Sequence, residues 1–379
     1  MSEIAHIPQL RFPEFSGEWE EKRLGDIADF SKGKGISKSD IDNDGQLECI
    51  RYGELYTTYN ELIKDVHSKT NIAKEDVKLS QIGDVIIPAS GETAIDIATA
   101  SCVLKDGVAI GGDLNIIRSD IDGVFNAYYL NNKNKYSVAR LSQGSSVIHL
   151  YAKHLETLKL NLPTKPEQTK IAAFLTEVDT KIEQLSKKQE LLGEYKKGLM
   201  QQIFSQVIRF KADDGSDFPD WEEKKLGGIG HTFNGLTGKT KDDFGRGKPY
   251  IQYMQIFESS KINIDNFGLV DVRDDENQKV AQYGDVFFTT SSETPDAVGY
   301  SSVLLDDIDK LYLNSFCFGF RPNSLDELSP NFAQFLLRSA NFRRRVVRLA
   351  QGSTRYNMSK VQLMKEVISL PCLKEQTKI

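Results

Sequence analysis

The chain has 379 residues, of which 39% are hydrophobic and 27% charged, with a formal net charge of −6. That length predicts two or three domains with cores of their own, and the acidic balance gives no support to nucleic-acid binding outside local patches. No apolar run approaches the roughly 20 residues of a membrane span, and the N-terminal MSEIAHIPQLRFPEF lacks the basic start and apolar block of a secretory signal. Cys49, Cys102, Cys317 and Cys372 form no C-x-x-C pair and, with five scattered histidines, suggest neither a metal site nor a disulfide framework. A reduced, cytoplasmic protein is expected.

In chain order, Leu10-Arg11-Phe12-Pro13 leads into Trp19-Glu20-Glu21-Lys22-Arg23-Leu24-Gly25. Apolar runs then predict strands at Val85-Ile86-Ile87 and Leu114 to Ile117, and a helix over Val124 to Leu141. These signals return. Ile208-Arg209-Phe210 leads into Trp221-Glu222-Glu223-Lys224-Lys225-Leu226-Gly227, followed by apolar runs at Val286-Phe287-Phe288 and Leu311 to Phe320 and a helical pattern over Asn331 to Ala350. Gln81-Ile82-Gly83-Asp84-Val85 is echoed by Gln282-Tyr283-Gly284-Asp285-Val286, and Leu141 to Ile171 aligns without a gap on Leu349 to Ile379 with twelve of 31 positions identical. The chain is a tandem duplication. Each repeat of about 200 residues, far above a solenoid period, reads as an α+β domain followed by a helix.

Between the repeats lies a long uninterrupted helical pattern. Its apolar seam reads Ile171, Leu175, Val178, Ile182, Leu185, Leu192, Leu199 and Ile203, broken by Gln189 and Lys196. Spacings of four and three with Lys, Glu and Gln between them are the pattern of one coiled-coil helix; about forty residues make a rod of about 60 Å. The predicted organisation is a first domain over residues 1–162, the helix over 163–206, a second domain over 207–370, and the start of a second such helix over 371–379. The rest of that helix is expected to be missing after Ile379, so the first either self-associates or leaves its stripe exposed.

Three segments per repeat have chemistry suited to DNA. Lys32, Lys34 and Lys38, matched by Lys239 and Lys241, lie among glycines that let backbone approach a phosphate; a solvated turn is the plain alternative. Ser90, Glu92 and Thr93, matched by Ser291, Ser292, Glu293 and Thr294, offer short polar groups for base edges or phosphates, or a merely structural turn. Gln143-Gly144-Ser145-Ser146, matched by Gln351-Gly352-Ser353-Thr354-Arg355, reads as a helix terminus followed by glycine and hydroxyls, suited to phosphate contact. Arg338, Arg343, Arg344, Arg345 and Arg348, with Lys133, Lys135 and Arg140 as weaker counterparts, form a basic segment that is either a solvated face or a phosphate contact. Catalytic signatures are not found. Asn234-Gly235-Leu236-Thr237-Gly238-Lys239-Thr240 fails the phosphate-loop pattern because Phe233 stands where the first glycine belongs. Asp84 with Glu92 and Asp285 with Glu293 could be imagined as metal carboxylates, but Gly-Asp before a strand reads as a turn.

The duplicated set of LRFPEF, WEEKRLGD, the Gly-Asp-Val strand, the Gln-Gly-Ser loop and Leu-Pro-x-x-x-Glu-Gln-x-Lys-Ile entering a long helix resembles the specificity subunit of a type I restriction–modification system. The resemblance covers essentially the whole chain. It implies two target-recognition domains on conserved helices, each reading one half of a split double-stranded DNA target, with the helices fixing the spacer. It further implies a non-catalytic chain without cofactors of its own. Two methyltransferase subunits would carry S-adenosylmethionine, and restriction/translocase subunits would use ATP and magnesium. A coiled-coil scaffold binding proteins through its two domains, or an inactive truncated copy of such a subunit, is the alternative.

Overall fold

The computed structural model describes residues 8–379; the first seven, including the expected start of the first domain, lie outside the described residues. The chain divides between Lys187 and Lys188 into two compact units, a boundary that falls within a single 40-residue helix, Lys165–Phe204.

In the first unit a five-stranded sheet has the spatial order Ala28–Lys32, Leu114–Ser119, Val85–Pro88, Ser101–Val103, Leu62–Ile63. A second sheet carries Ser68–Thr70, Leu47–Ile50, Ala109–Ile110 and Lys78–Leu79. Side chains alternate across a strand, so Val85 and Ile87 enter a core with Phe125, Leu130 and Leu160, while Ile86 enters another with Ile50, Ile110 and Leu114. Burial on both faces is why this strand is an unbroken apolar run. The second unit repeats the plan. Gly230–Asn234, Cys317–Pro322, Val286–Thr289 and Ser301–Val303 form its main sheet, and Gly268–Val270, Phe244–Ile251 and Tyr312–Leu313 its second. Val286 and Phe288 face a core with Phe318, Phe332 and Phe342; Phe287 faces one with Ile251 and Leu313.

Three elements are shorter than the sequence pattern predicts. The helix expected over 124–141 is Gly123–Asn131 and Lys135–Arg140. It breaks where Asn132 turns its amide onto the Tyr128 carbonyl, a local bond that competes with continued helix. The helix expected over 331–350 is Pro330–Leu336 and Ala340–Val347, restarted by Ser339, whose hydroxyl accepts the Phe342 N–H; Ala350 already begins a strand. The run Leu311 to Phe320 is two strands separated by a turn at Asn314, Ser315 and Phe316. Among the described residues no helix is long and apolar enough to cross a membrane.

Candidate nucleic-acid interface

The strand directions gather the candidate loops at one end of each unit. In the first, Lys32 pairs with Asn115 and Pro88 with Leu114. The chain leaving Lys32, the chain leaving Pro88 and the turn before Leu114 therefore emerge side by side. Ile110 runs parallel to Ile50, bringing Arg51 and Tyr52 to the same end. The Lys34 N–H donates to the Ile110 carbonyl and Gly112 N–H to Gly35, stitching the lysine loop to the Gly111–Asp113 turn.

The second and third candidate segments are joined through one intervening strand. Ser90–Gly91 is a short strand paired with Ile148–His149, and Gln143 and His149 exchange two backbone hydrogen bonds. In the second unit Ser291–Ser292 pairs with Tyr356–Met358, and Gln351 pairs with Asn357. Gln-Gly-Ser is thus the tip of a hairpin and not the end of a helix: the helix stops at Arg140 and Gln143 is already extended. Gly144 and Gly352 have φ of 130° and 134°, and a Cβ on either would sit 2.1 Å from a carbonyl oxygen three residues on. Only glycine closes this tip.

Gln143, Gly144, Ser145 and Ser146 are exposed, as are Gln351, Gly352, Ser353, Thr354 and Arg355. Glu92, Thr93, Glu293 and Thr294 are exposed too, whereas Ser90 and Ser292 are half-buried and Ser291 is buried. Thr93 caps the helix Ala94–Ile97, its hydroxyl accepting the Asp96 N–H. Lys34, Lys38 and Lys241 are exposed, and Lys32 lies 3.9 Å from Asp113. Lys239 departs from this set. Its side chain is 5% exposed and its ammonium is 2.7 Å from Glu276 Oε1, whose carboxyl that bond holds down to about 2. Lys239 braces a loop.

The basic segment divides into bonded and exposed arginines. Arg338 donates to the carbonyls of Ser301, Ile256, Phe257 and Ser259, and burial pushes its guanidinium down to about 10. Arg343 donates to Asp296, Val298 and Gly299 and lies 4.2 Å from the Tyr300 ring centroid. Arg345 is held by the Val367 carbonyl. These three cross-link loops because unpaired backbone carbonyls are costly to bury; Arg344 and Arg348 remain exposed.

A phenol fixes each serine strand, which sequence reasoning missed. Tyr56 donates to the Ser90 carbonyl (3.2 Å) and Tyr253 to the Ser291 carbonyl (2.6 Å). They are not equivalent positions. Arg51-Tyr52 aligns with Gln252-Tyr253 after the parallel strands, so the anchor has moved one helical turn and Tyr52 is left 41% exposed on the loop end.

The opposite end of each unit roots a helix. Glu167 accepts from Arg11 Nε (2.8 Å) and Nη2 (2.7 Å) and from Trp19 Nε1 (3.4 Å); Glu375 accepts from Arg209 Nε (3.1 Å) and Nη2 (2.8 Å) and from Trp221 Nε1 (3.2 Å). Gln168 accepts the Asp122 N–H and donates to Pro163; Gln376 accepts the Ser329 N–H and donates to Pro371. The four Glu and Gln side chains are buried. This explains the repeated Arg, Trp and Glu-Gln: together they clamp a leading arm, a strand-to-helix loop and the first turn of a helix. The Gly-Asp turns belong here as well. Asp84 and Asp285 each take both oxygens into a fork from Arg118 and Arg321, so neither is presented as a metal ligand. Among the described residues no cluster of three or more His, Cys, Asp or Glu could hold a metal.

Beyond its root the long helix is open. Val178, Ile182, Leu185 and Leu192 are exposed, and Ile171, Leu175, Leu199 and Ile203 are half-buried.

With this geometry, the chain belongs to the family of the type I restriction modification DNA specificity domain, whose model matches residues 16–192 and again 219–379. It is 27% identical over 393 aligned residues, 97% of this chain and 85% of the other, to the type I restriction enzyme MjaVIII specificity subunit of Methanocaldococcus jannaschii. Its fold is similar to that of the type I restriction-modification S subunit from M. genitalium, with a TM-score of 0.58 at 15% identity over 99% of this chain and 89% of that one. A chain solved in work on complex assembly and conformational transition of the type I R-M system matches with a TM-score of 0.52 at 19% identity, covering 98% and 89%.

Proposed function

We propose that this chain is the DNA-target-recognition subunit of a type I restriction–modification complex, itself non-catalytic and acting in the cytoplasm. Each unit reads one half of a split, asymmetric target in double-stranded DNA with its loop end. Recognition domains over 1–162 and 207–370 are joined by the helix over 163–206, which sets the spacer and offers its stripe to methyltransferase subunits. Those subunits supply S-adenosylmethionine, and restriction/translocase subunits supply ATP- and magnesium-dependent steps. One observation carries the reading: in both units the Ser-x-Glu-Thr and Gln-Gly-Ser segments, far apart in sequence, pair to the same intervening strand and present their glutamates and hairpin tips to solvent at one end.

Within that surface the exposed lysines and Arg355 neutralise phosphates, which carries affinity but no sequence information. The hairpin tips, with Gln143, Ser145, Ser146, Gln351, Ser353 and Thr354, supply donors and acceptors for phosphates or base edges, and Glu92 and Glu293 can accept from a cytosine amino group. The test is genome-wide detection of modified adenines in the source organism with and without this gene. A split motif with a fixed gap, lost on deletion and restored by the chain, is the expected result. An unchanged methylation pattern would overturn it.

A further inference from the structure

We propose that Phe316 is a specificity-determining residue of the second unit, reading a thymine through its C5 methyl group; this rests on the target-recognition reading above. The turn Asn314, Ser315, Phe316 is the counterpart of Gly111, Gly112, Asp113, and the two share a backbone. Asn314 N–H donates to Ile251 as Gly111 does to Ile50, Cys317 to Asn314 as Leu114 to Gly111, and Thr290 to Phe316 as Ala89 to Asp113. The frame is the same and the tip residue is not. Where the first unit places a carboxylate, the second places a phenyl ring that is 63% exposed.

A single exposed apolar side chain ordinarily needs no explanation. This one is held out by the turn: Phe316 N–H donates to Asn314 Oδ1 at 2.8 Å, and its carbonyl accepts Thr290 N–H, the residue that opens the Ser291–Thr294 segment. Thr290 in turn accepts from Met358 N–H in the strand that follows the Gln351 hairpin tip. The ring therefore stands beside both polar segments of the loop end. The hydroxyls and amides of those segments suit phosphates and polar base edges. An aromatic ring has neither use and matches the one apolar mark in the major groove, the thymine methyl. Asp113 cannot make that contact, so the two halves differ in what they read at this position.

The experiment uses the full chain with its methyltransferase partner and a duplex carrying its methylated motif. Thymines of the second half are replaced one at a time by deoxyuridine, which removes only the methyl. One such replacement is expected to weaken wild-type binding about fivefold, the size of one buried methyl. Phe316→Ala is expected to bind thymine and uracil duplexes alike, about fivefold weaker than wild type on the thymine duplex, with binding to altered first halves unaffected. Phe316→Leu keeps the discrimination, separating lost apolar contact from a disturbed turn. The proposal is overturned if Phe316→Ala discriminates uracil as wild type does, if no replacement matters, or if the second half contains no A·T pair. A wild-type chain with no preference for its motif fails the target-recognition reading itself and takes this proposal with it.

Discussion

The two ends of each unit are built on opposite terms. At the helix root, charges are buried and paired: Glu167 is 1% and Glu375 0% exposed, each forked by an arginine and capped by a tryptophan. At the loop end Lys34, Lys38, Lys241, Glu92 and Glu293 face water, and equivalent positions can carry different residues, as with Asp113 and Phe316 or Tyr56 and Phe257. A buried charge tolerates no substitution of its partner, whereas an exposed one tolerates many. Identity among the buried residues of the two repeats therefore marks framework, whereas the loop end mixes repeated polar segments with positions, such as Asp113 and Phe316, that diverge on a shared backbone.

That contrast can be broken by substitution, starting at the framework. Asp285→Ala leaves the Arg321 guanidinium without its carboxylate inside the second unit and removes the acceptor of the Gln282 N–H. The expected cost is about 3 kcal/mol in urea unfolding, and a change below about 0.5 kcal/mol would contradict a structural role. Gly352→Ala strains the hairpin tip, with an expected loss of about 2 kcal/mol and weakened recognition of the second half alone. Wild-type binding to altered first halves serves as its control.

Lys239 and Lys38 sharpen the comparison within one candidate class. Lys38→Ala should flatten the log–log salt dependence of DNA binding by roughly one unit, and Lys239→Ala should leave that slope alone. The Glu276 carboxyl is held low by Lys239, so its contribution is present above its ordinary value and lost as pH falls toward about 2. Glu276→Gln should therefore lower the stability of the second unit near neutrality, with the difference from wild type shrinking as pH falls through that acid window. The smallest effect on stability is expected on the open helix. Leu185→Glu should alter unfolding by no more than about 0.5 kcal/mol yet reduce co-purification of the methyltransferase subunit.

Much of this was legible in the residues. The duplication, the α+β class and the long helix follow from ordered matches and from apolar spacing, because those patterns are imposed by burial. The root clamp was visible as Arg, Trp and Glu-Gln repeated in order, but nothing local says that residues about 150 positions apart share one carboxylate. Lys239 is hidden for the same reason: its partner Glu276 is distant in sequence, and a lysine among glycines looks free. The Gln-Gly-Ser tip looks like a helix end because the helix signal runs up to Leu141, while the pairing of Gln143 with His149 depends on a turn only glycine closes. Arg338 and Arg343 looked like a charge run, and burial against carbonyls cannot be read from charge.

The most direct measurement of the central claim is the methylated motif written in cells by a chain altered at one loop end only. Ser90→Ala with Glu92→Ala in the first unit, read by long-read detection of modified adenines, should change or relax one half of the motif while the other half and the gap stay fixed. Changes in both halves, or none in either, would contradict the assignment of one half-target to each unit.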